Sequence, residues 1–451
     1  MMRIRLIVAT LAWAIPAGLA SAPSWAANLS EIYQLARDND AQLAAAREAR
    51  NAGAEKVVQG RAGLLPTVSL GGSVRQVDPD SSLPTARNDP YTTRGLSLSL
   101  VQPIYRKQNL EGYEQAKLQA LLSEQELTLA EQNLVLRVAT AYFDVLMAQD
   151  SLDTARAQKE AITEQLAQAR KSFEVGAATI TDTHEAQARY DLTSAQEIAA
   201  LNDLEVKRRA LEKIINQELP RLAELRGKAR LPLPEPANMD AWVNQAETGN
   251  LGVSLYQTAL EIARREVERQ RGGRLPTLDL AASYSDNHNT LISGLASGVN
   301  TKTAVVGLEL GWLLYQGGAV SSRVREAVAM REKSRYDLDE ARRQSRLDAR
   351  QGFLGVLSGE AQVRALEQAL VSSEAQLRST KLGLEVGVRT RVDVLNAQQQ
   401  VYSTRRDLAA AKYRTLLATL QLKAAAGTLG PDDLREVDAL LTEPAGERKA
   451  R

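Results

Sequence analysis

The chain has 451 residues, a formal net charge of +1 and no cysteine. Near-neutral charge gives no global field for nucleic acid or an anionic membrane surface. The lack of cysteine excludes disulfides, thiolate metal sites, a Cys nucleophile and a lipidated N-terminal Cys. Only 4% of residues are aromatic while Ala, Leu, Gln, Glu and Arg abound, a composition suited to long thin helices packed on small side chains.

Residues 1–26 read as a signal peptide. Arg3 and Arg5 form a basic start, an apolar stretch runs from Leu6 to Leu19, and Ser24-Trp25-Ala26 fits a small-x-small cleavage site. No other window has the 18 or more apolar residues of a membrane-crossing helix. An exported chain is expected, with any membrane contact made through strands or a surface.

Residues 27–63 are expected to hold a half-length helix, and 64–105 a β-hairpin with strands at 64–77 and 93–105. Val68, Leu70, Gly72 and Val74, then Leu96, Leu98 and Leu100, alternate with Ser69, Ser73, Arg75, Ser97 and Ser99. Period-two segments of this length fit transmembrane strands. The intervening loop, 78–92, is rich in Pro, Asp, Asn and Ser, as exposed turns are.

Residues 106–216 read as a long coiled-coil hairpin with its tip at 174–182. A 3-4 alternation runs through Leu134, Val138, Ala141, Val145, Ala148, Leu152, Ala155, Lys159, Ile162, Leu166, Ala169 and Phe173, apolar everywhere but Lys159. About 69 residues of helix span roughly 100 Å at 1.5 Å per residue. Gly176 suits a left-handed position closing that helix. Asp182 then lies near the start of a returning helix, where a carboxylate is favoured. The region 217–250 is expected to be a linker beside a small mixed element, with Leu-Pro-Leu-Pro-Glu-Pro at 231–236.

The pattern then starts again. Gly-Leu-Leu-Pro-Thr-Val-Ser-Leu at 63–70 returns as Gly-Arg-Leu-Pro-Thr-Leu-Asp-Leu at 273–280. Phe-Glu-Val-Gly-Ala-Ala-Thr-Ile-Thr-Asp at 173–182 returns as Leu-Glu-Val-Gly-Val-Arg-Thr-Arg-Val-Asp at 384–393. Two distant anchors with nearly one spacing mark duplication of a strand-plus-helix unit, far longer than the 20–50-residue period of solenoids. The second copy comprises a half-length helix at 251–274, a β-hairpin at 275–315 and a coiled-coil hairpin at 316–430 with its tip at 385–393. Its strands, 275–287 and 303–315, place Leu278, Leu280, Ala282 and Tyr284, and Val306, Leu308, Leu310, Trp312 and Leu314, on one face. Asp279, Ser283, Asp286 and Glu309 are assigned to the other, and Tyr105, Trp312 and Tyr315 to strand ends, where interfacial aromatics belong. Its seams run through Val356, Val363, Leu366, Leu370 and Leu377, and through Val394, Ala397, Val401, Leu408 and Leu422. Gly387 and Asp393 repeat Gly176 and Asp182. Residues 431–451 form a C-terminal equatorial segment and tail.

Four strands cannot close a barrel, and lipid tolerates no open sheet edge. Several chains must therefore share one barrel. Two chains would give eight strands and a filled interior; three would give twelve and a lumen, continued by a hollow cylinder of helices. The expected fold is an α+β membrane protein of that trimeric kind. The competing expectation is a periplasmic coiled-coil scaffold or tether without a pore, which explains the heptads but not the paired strands.

From Asn28 to Leu434 the chain resembles the TolC family of outer-membrane channel-tunnels of Gram-negative bacteria. The likeness is carried by Leu-Leu-Pro at 64–66, Ala-Thr-Ala-Tyr-Phe-Asp-Val-Leu at 139–146, Leu-Pro-Thr-Leu-Asp-Leu at 275–280, Leu-Tyr-Gln-Gly-Gly at 314–318 and Val-Gly-Val-Arg-Thr-Arg-Val-Asp-Val-Leu at 386–395. The resemblance implies a homotrimer: a 12-stranded outer-membrane β-barrel continued by an α-helical coiled-coil barrel across the periplasm. It implies an exit duct for multidrug efflux or type I protein secretion, working with a periplasmic adaptor and an inner-membrane ABC or RND transporter. It also implies a gate at the tips, where Arg389 of the second copy pairs with Asp182 of the first beside Thr181. Such a partly exposed pair contributes about 1 kcal/mol, multiplied by the copies of a trimer. The family's constriction has two Asp rings; Asp393 matches the first and Asn396 stands at the second, so weaker cation binding is expected. Leu384 stands where the family has a gate-supporting Tyr.

An enzyme is not expected. His184 and His288 lack a second His or Cys at metal-ligand spacing, and no phosphate-binding, nucleophile-elbow or dinucleotide motif is present. No cofactor or metal and no nucleic-acid partner is expected.

Overall fold

The computed structural model describes residues 26–78, 80, 90–226, 231–289 and 299–442. The expected signal peptide, apart from Ala26, the centres of both hairpin loops and the tail beyond 442 lie outside the described residues.

Two rods dominate: α3 (Lys107–Glu174, 68 residues) and α7 (Ala319–Glu385, 67 residues). At 1.5 Å per residue each extends about 100 Å. Shorter helices flank them. α2 (Ala41–Ala62) and α4 (Ile180–Ile215) pack on α3, and α6 (Leu251–Arg271) and α8 (Arg391–Ala425) pack on α7. The seam positions Leu134, Val138, Val145, Leu152, Ile162 and Leu166 are buried, as are Val356, Val363, Val394, Ala397 and Val401. Phe173, at the last expected seam position, is instead 44% exposed, because the hairpin is already turning there. Lys159 keeps its place in the seam by reaching Glu197 at 2.8 Å, with its ammonium 5.7 Å from the Tyr190 ring. Small residues set the closeness of the second hairpin: a Cβ added at Gly359 would stand 2.5 Å from Thr415 Oγ1.

The N-terminal half-length helix is not one piece. α1 (Leu29–Asn39) stops at Asp40, which caps α2 by accepting from Leu43 N at 2.7 Å. The same carboxylate takes two hydrogen bonds from Arg137, at 2.8 and 3.1 Å. A capping acid and a distant arginine break a helix that its composition alone would continue.

The strands β1 (Thr67–Val77), β2 (Tyr91–Tyr105), β4 (Thr277–Asn289) and β5 (Val299–Gly311) form one antiparallel sheet in the order β1-β2-β4-β5. The register places Leu70, Leu98, Tyr284 and Ala304 across one row, and Val68, Leu100, Ala282 and Val306 across another. That face is apolar; Ser69, Ser99 and Ser283 share the opposite one. Two expectations need correction. Asp286 lies on the apolar side, in the row of Leu96 and Lys302, with Lys302 Nζ 3.7 Å away. Two residues' spacing from Tyr284 dictates this, since faces alternate singly. β5 ends at Gly311, short of Trp312 and Tyr315, because its only partner begins at Thr277. Among the described residues, β1 and β5 are both unpaired edges.

Midway along the rods lies the main core. Tyr142 is completely buried, and its hydroxyl donates toward the carbonyls of Ala223 (2.8 Å) and Ala27 (3.2 Å). Tyr142 meets Phe143 edge-on and Phe143 stacks on Tyr413, whose hydroxyl donates to Asp150 at 2.8 Å. A belt of short elements wraps this cluster: β3 (Glu224–Leu225) pairs with β6 (Leu441–Thr442), and α9 (Pro431–Asp438) packs on α1. Asp438 accepts from Leu29 N at 2.8 Å, joining the ends of the described chain. The remaining helix, α5 (Met239–Gly249), rests on α7 with Trp242 buried beside Phe353 and Val356.

Candidate functional site

At the ends of the rods the two copies make the same turn. α3 gives way to Gly176 at φ 72° and α7 to Gly387 at φ 79°, a left-handed conformation that glycine adopts without Cβ strain. Ala177 N then reaches back to Ser172 O at 2.8 Å, and Val388 N to Gly383 O, also at 2.8 Å.

Each returning helix opens on a reciprocal capping box. Asp182 N donates to Thr179 Oγ1 at 3.3 Å and Thr179 N donates to Asp182 Oδ2 at 3.0 Å. Asp393 N donates to Thr390 Oγ1 at 3.2 Å and Thr390 N to Asp393 Oδ2 at 2.9 Å. These bonds to the Thr179 backbone and hydroxyl, with Arg391 nearby, hold Asp182 below the usual carboxylate range. Thr390 and then Arg389 do the same for Asp393. Thr179 and Thr390 were readable in the sequence as a Thr-x-x-Asp spacing, a capping-box signature. Sequence reasoning named Thr181 instead, which is exposed on the first turn of α4.

Within one chain no ion pair joins Asp182 to Arg389. The cation acting on Asp182 is Arg391, whose guanidinium also reaches Ser172 Oγ at 3.5 Å. Arg389 is exposed beside its own turn, with its side chain against Gly383. Leu384 is half-buried.

Besides the apolar core shared at mid-rod, polar cross-links join the hairpins. α8 is tied to the first hairpin by Tyr413 to Asp150, by Tyr402 to the carbonyl of Ala157 at 3.1 Å, and by Gln398 to Gln165. Two turns in from the tip, Arg189 on α4 donates to Asn396 Oδ1 at 3.0 Å and to Gln399 Oε1 at 2.7 Å on α8. No local signal could have found Arg189, whose partners are over 200 residues away.

Among the described residues no group of His, Asp and Glu is placed to hold a metal ion, and no helix is long and apolar enough to cross a membrane. The tips hold left-handed glycine turns, capped helix starts and polar links.

The sequence profile of the outer membrane efflux protein family matches residues 32–217 and 242–428, one stretch for each copy. The chain is 33% identical over 425 residues to outer membrane protein TolC of Vibrio cholerae, covering 94% of this chain and 95% of that protein. It is 34% identical over 437 residues to the alkaline protease secretion protein AprF of Pseudomonas aeruginosa, covering 95% and 90%. Among solved structures, the CmeC outer membrane channel of Campylobacter jejuni superposes with a TM-score of 0.79 over 96% of this chain and 97% of that one. The outer membrane protein VceC of Vibrio cholerae gives 0.76 over 88% and 96%. Their identities, 15% and 16%, speak to the fold alone. The chain belongs to the outer membrane efflux protein family, and is an outer-membrane channel of the efflux and type I secretion kind.

Proposed function

We propose that three copies pool their four-stranded sheets into a 12-stranded barrel whose apolar face meets outer-membrane lipid, with the rods forming a tunnel into the periplasm. The observation that carries this reading is the sheet with two unpaired edges, β1 and β5, on an outer-membrane chain. Lipid leaves no such edge unsatisfied. A tether without a pore gives these strands no use.

In the closed state the tips draw together. Arg389 of one protomer reaches Asp182 of its neighbour beside Thr181, and Asp393 with Asn396 lines the narrowest part. Gly176 and Gly387 are the hinges. A periplasmic adaptor engages the exposed tips, and an inner-membrane ABC or RND transporter delivers the substrate, so the duct needs no enzyme activity and no cofactor. Likeness to TolC and to a protease secretion protein supports both drug efflux and protein secretion.

The test is single-channel conductance of the purified protein in planar bilayers. Asp182→Ala and Arg389→Ser are each expected to raise it severalfold. Unchanged conductance in both would remove this pair from the gate.

A further inference from the structure

Asn396 follows Asp393 by three residues on α8, and Gln399 follows Asn396 by three more, so their side chains share a helix face. Both amide oxygens are turned to a single group, the guanidinium of Arg189, at 3.0 and 2.7 Å. A planar guanidinium suits this paired-acceptor geometry; a lysine ammonium does not. Arg189 follows Asp182 by seven residues on α4, on the other hairpin. The link therefore crosses between hairpins just inside the tips, with Gln165–Gln398 beside it. Among the described residues no carboxylate lies within ion-pair distance of Arg189, so its positive charge is not neutralised within the chain.

We propose that Arg189 has two roles in the closed channel. It is a latch that fastens α4 to α8 independently of any contact between protomers. It also places a cation directly behind the position that Asn396 occupies, so the constriction is charge-compensated. This rests on the reading that Asp393 and Asn396 line the constriction. It yields a consequence that residue identity at 396 alone does not. A carboxylate installed there meets Arg189 and forms an ion pair instead of opening a second site for multivalent cations. Three Asp393 carboxylates and three Arg189 guanidiniums then nearly cancel, so block of the trimer by multivalent cations is weak.

The experiment uses the full-length protein in planar bilayers, reading resting conductance and block by lanthanum ions. Asn396→Asp alone is expected to leave the blocking constant within about twofold, whereas Arg189→Gln with Asn396→Asp tightens it about tenfold, equal to 1.4 kcal/mol. Arg189→Lys separates the two roles, because it keeps the charge and loses the paired donors. It is expected to raise resting conductance as Arg189→Gln does, while leaving lanthanum block of the Asn396→Asp channel weak. Tight block by Asn396→Asp alone would overturn the charge compensation. Unchanged resting conductance in Arg189→Gln, in a channel that Asp182→Ala does open, would overturn the latch and leave the gate standing. If Asp182→Ala also changes nothing and Asn396→Asp blocks tightly, the tip reading and this inference both fall.

Discussion

The equatorial belt and the tips are opposite halves of the same helical hairpins, held by different forces. At the belt a continuous cluster joins Leu134, Val138, Tyr142, Phe143 and Leu152 to Leu211, Ile215, Leu416, Leu420 and Leu434, with Leu29 and Asp438, near the two ends of the described residues, bonded beside it. Near the tip of the first hairpin the buried cluster shrinks to Leu166, Ala169 and Ala186, and polar links such as Arg189 to Asn396 and Gln165 to Gln398 join the hairpins. Burial stabilises at about 25 cal/mol per Å² and has no alternative partner. An exposed hydrogen bond exchanges with water for about 1 kcal/mol or less. On the proposed reading the belt stays closed while the tips open and reclose. A duct needs both, since a gate works only against a fixed frame.

Breaking the belt has the largest effect. Tyr142→Ala removes a wholly buried ring and leaves the carbonyls of Ala27 and Ala223 without its hydroxyl, an expected loss of about 3–5 kcal/mol. It should be read as a lower unfolding temperature and reduced recovery of the oligomer. A belt that tolerated it without change would not be the frame.

Removing a tip cap should cost far less. Thr179→Ala or Thr390→Ala deletes one half of a capping box, about 1 kcal/mol each. Faster amide hydrogen exchange is expected at the first turn of α4 or α8, and unchanged exchange around Tyr142. Equal acceleration at both places would erase the distinction between the regions.

Acid should separate them by sign. Asp182 and Asp393 are held below the ordinary value of 3.8, so their stabilisation is complete above it and is lost as pH falls through their folded values. Asp150 and Asp438 are raised by burial, so their contribution favours the folded belt at low pH and fades as pH climbs through their raised values. Acidification below about pH 4 is therefore expected to loosen the tips first, seen as rising conductance from an intact oligomer. Dissociation before any rise would contradict this.

Much of this contrast was legible in the sequence, because long elements broadcast their period. Seams, strands, the duplication and the Glu-Val-Gly turns each repeat a local rule many times. What escaped depends on residues far apart. The break at Asp40 needs Arg137, the end of β5 needs the start of β4, and the role of Arg189 needs α8. Asp286 was misplaced for a different reason. Polar type suggested one face of β4, while the strand's period places it on the other, opposite Lys302. The capping threonines Thr179 and Thr390 are legible as Thr-x-x-Asp spacings at the helix starts where Asp182 and Asp393 were expected.

The most direct test follows the movement itself. The chain has no native cysteine, so single spin labels can be placed at Val388→Cys, on an exposed tip residue, and at Gln217→Cys, beside the belt. Distances between protomers are then measured by pulsed electron resonance, with and without Arg389→Ser. The expected result is a longer, broader distribution at the tip label and an unchanged one at the belt label. Equal shifts at both labels, or none at the tip while conductance rises, would contradict a gate that moves against a fixed frame.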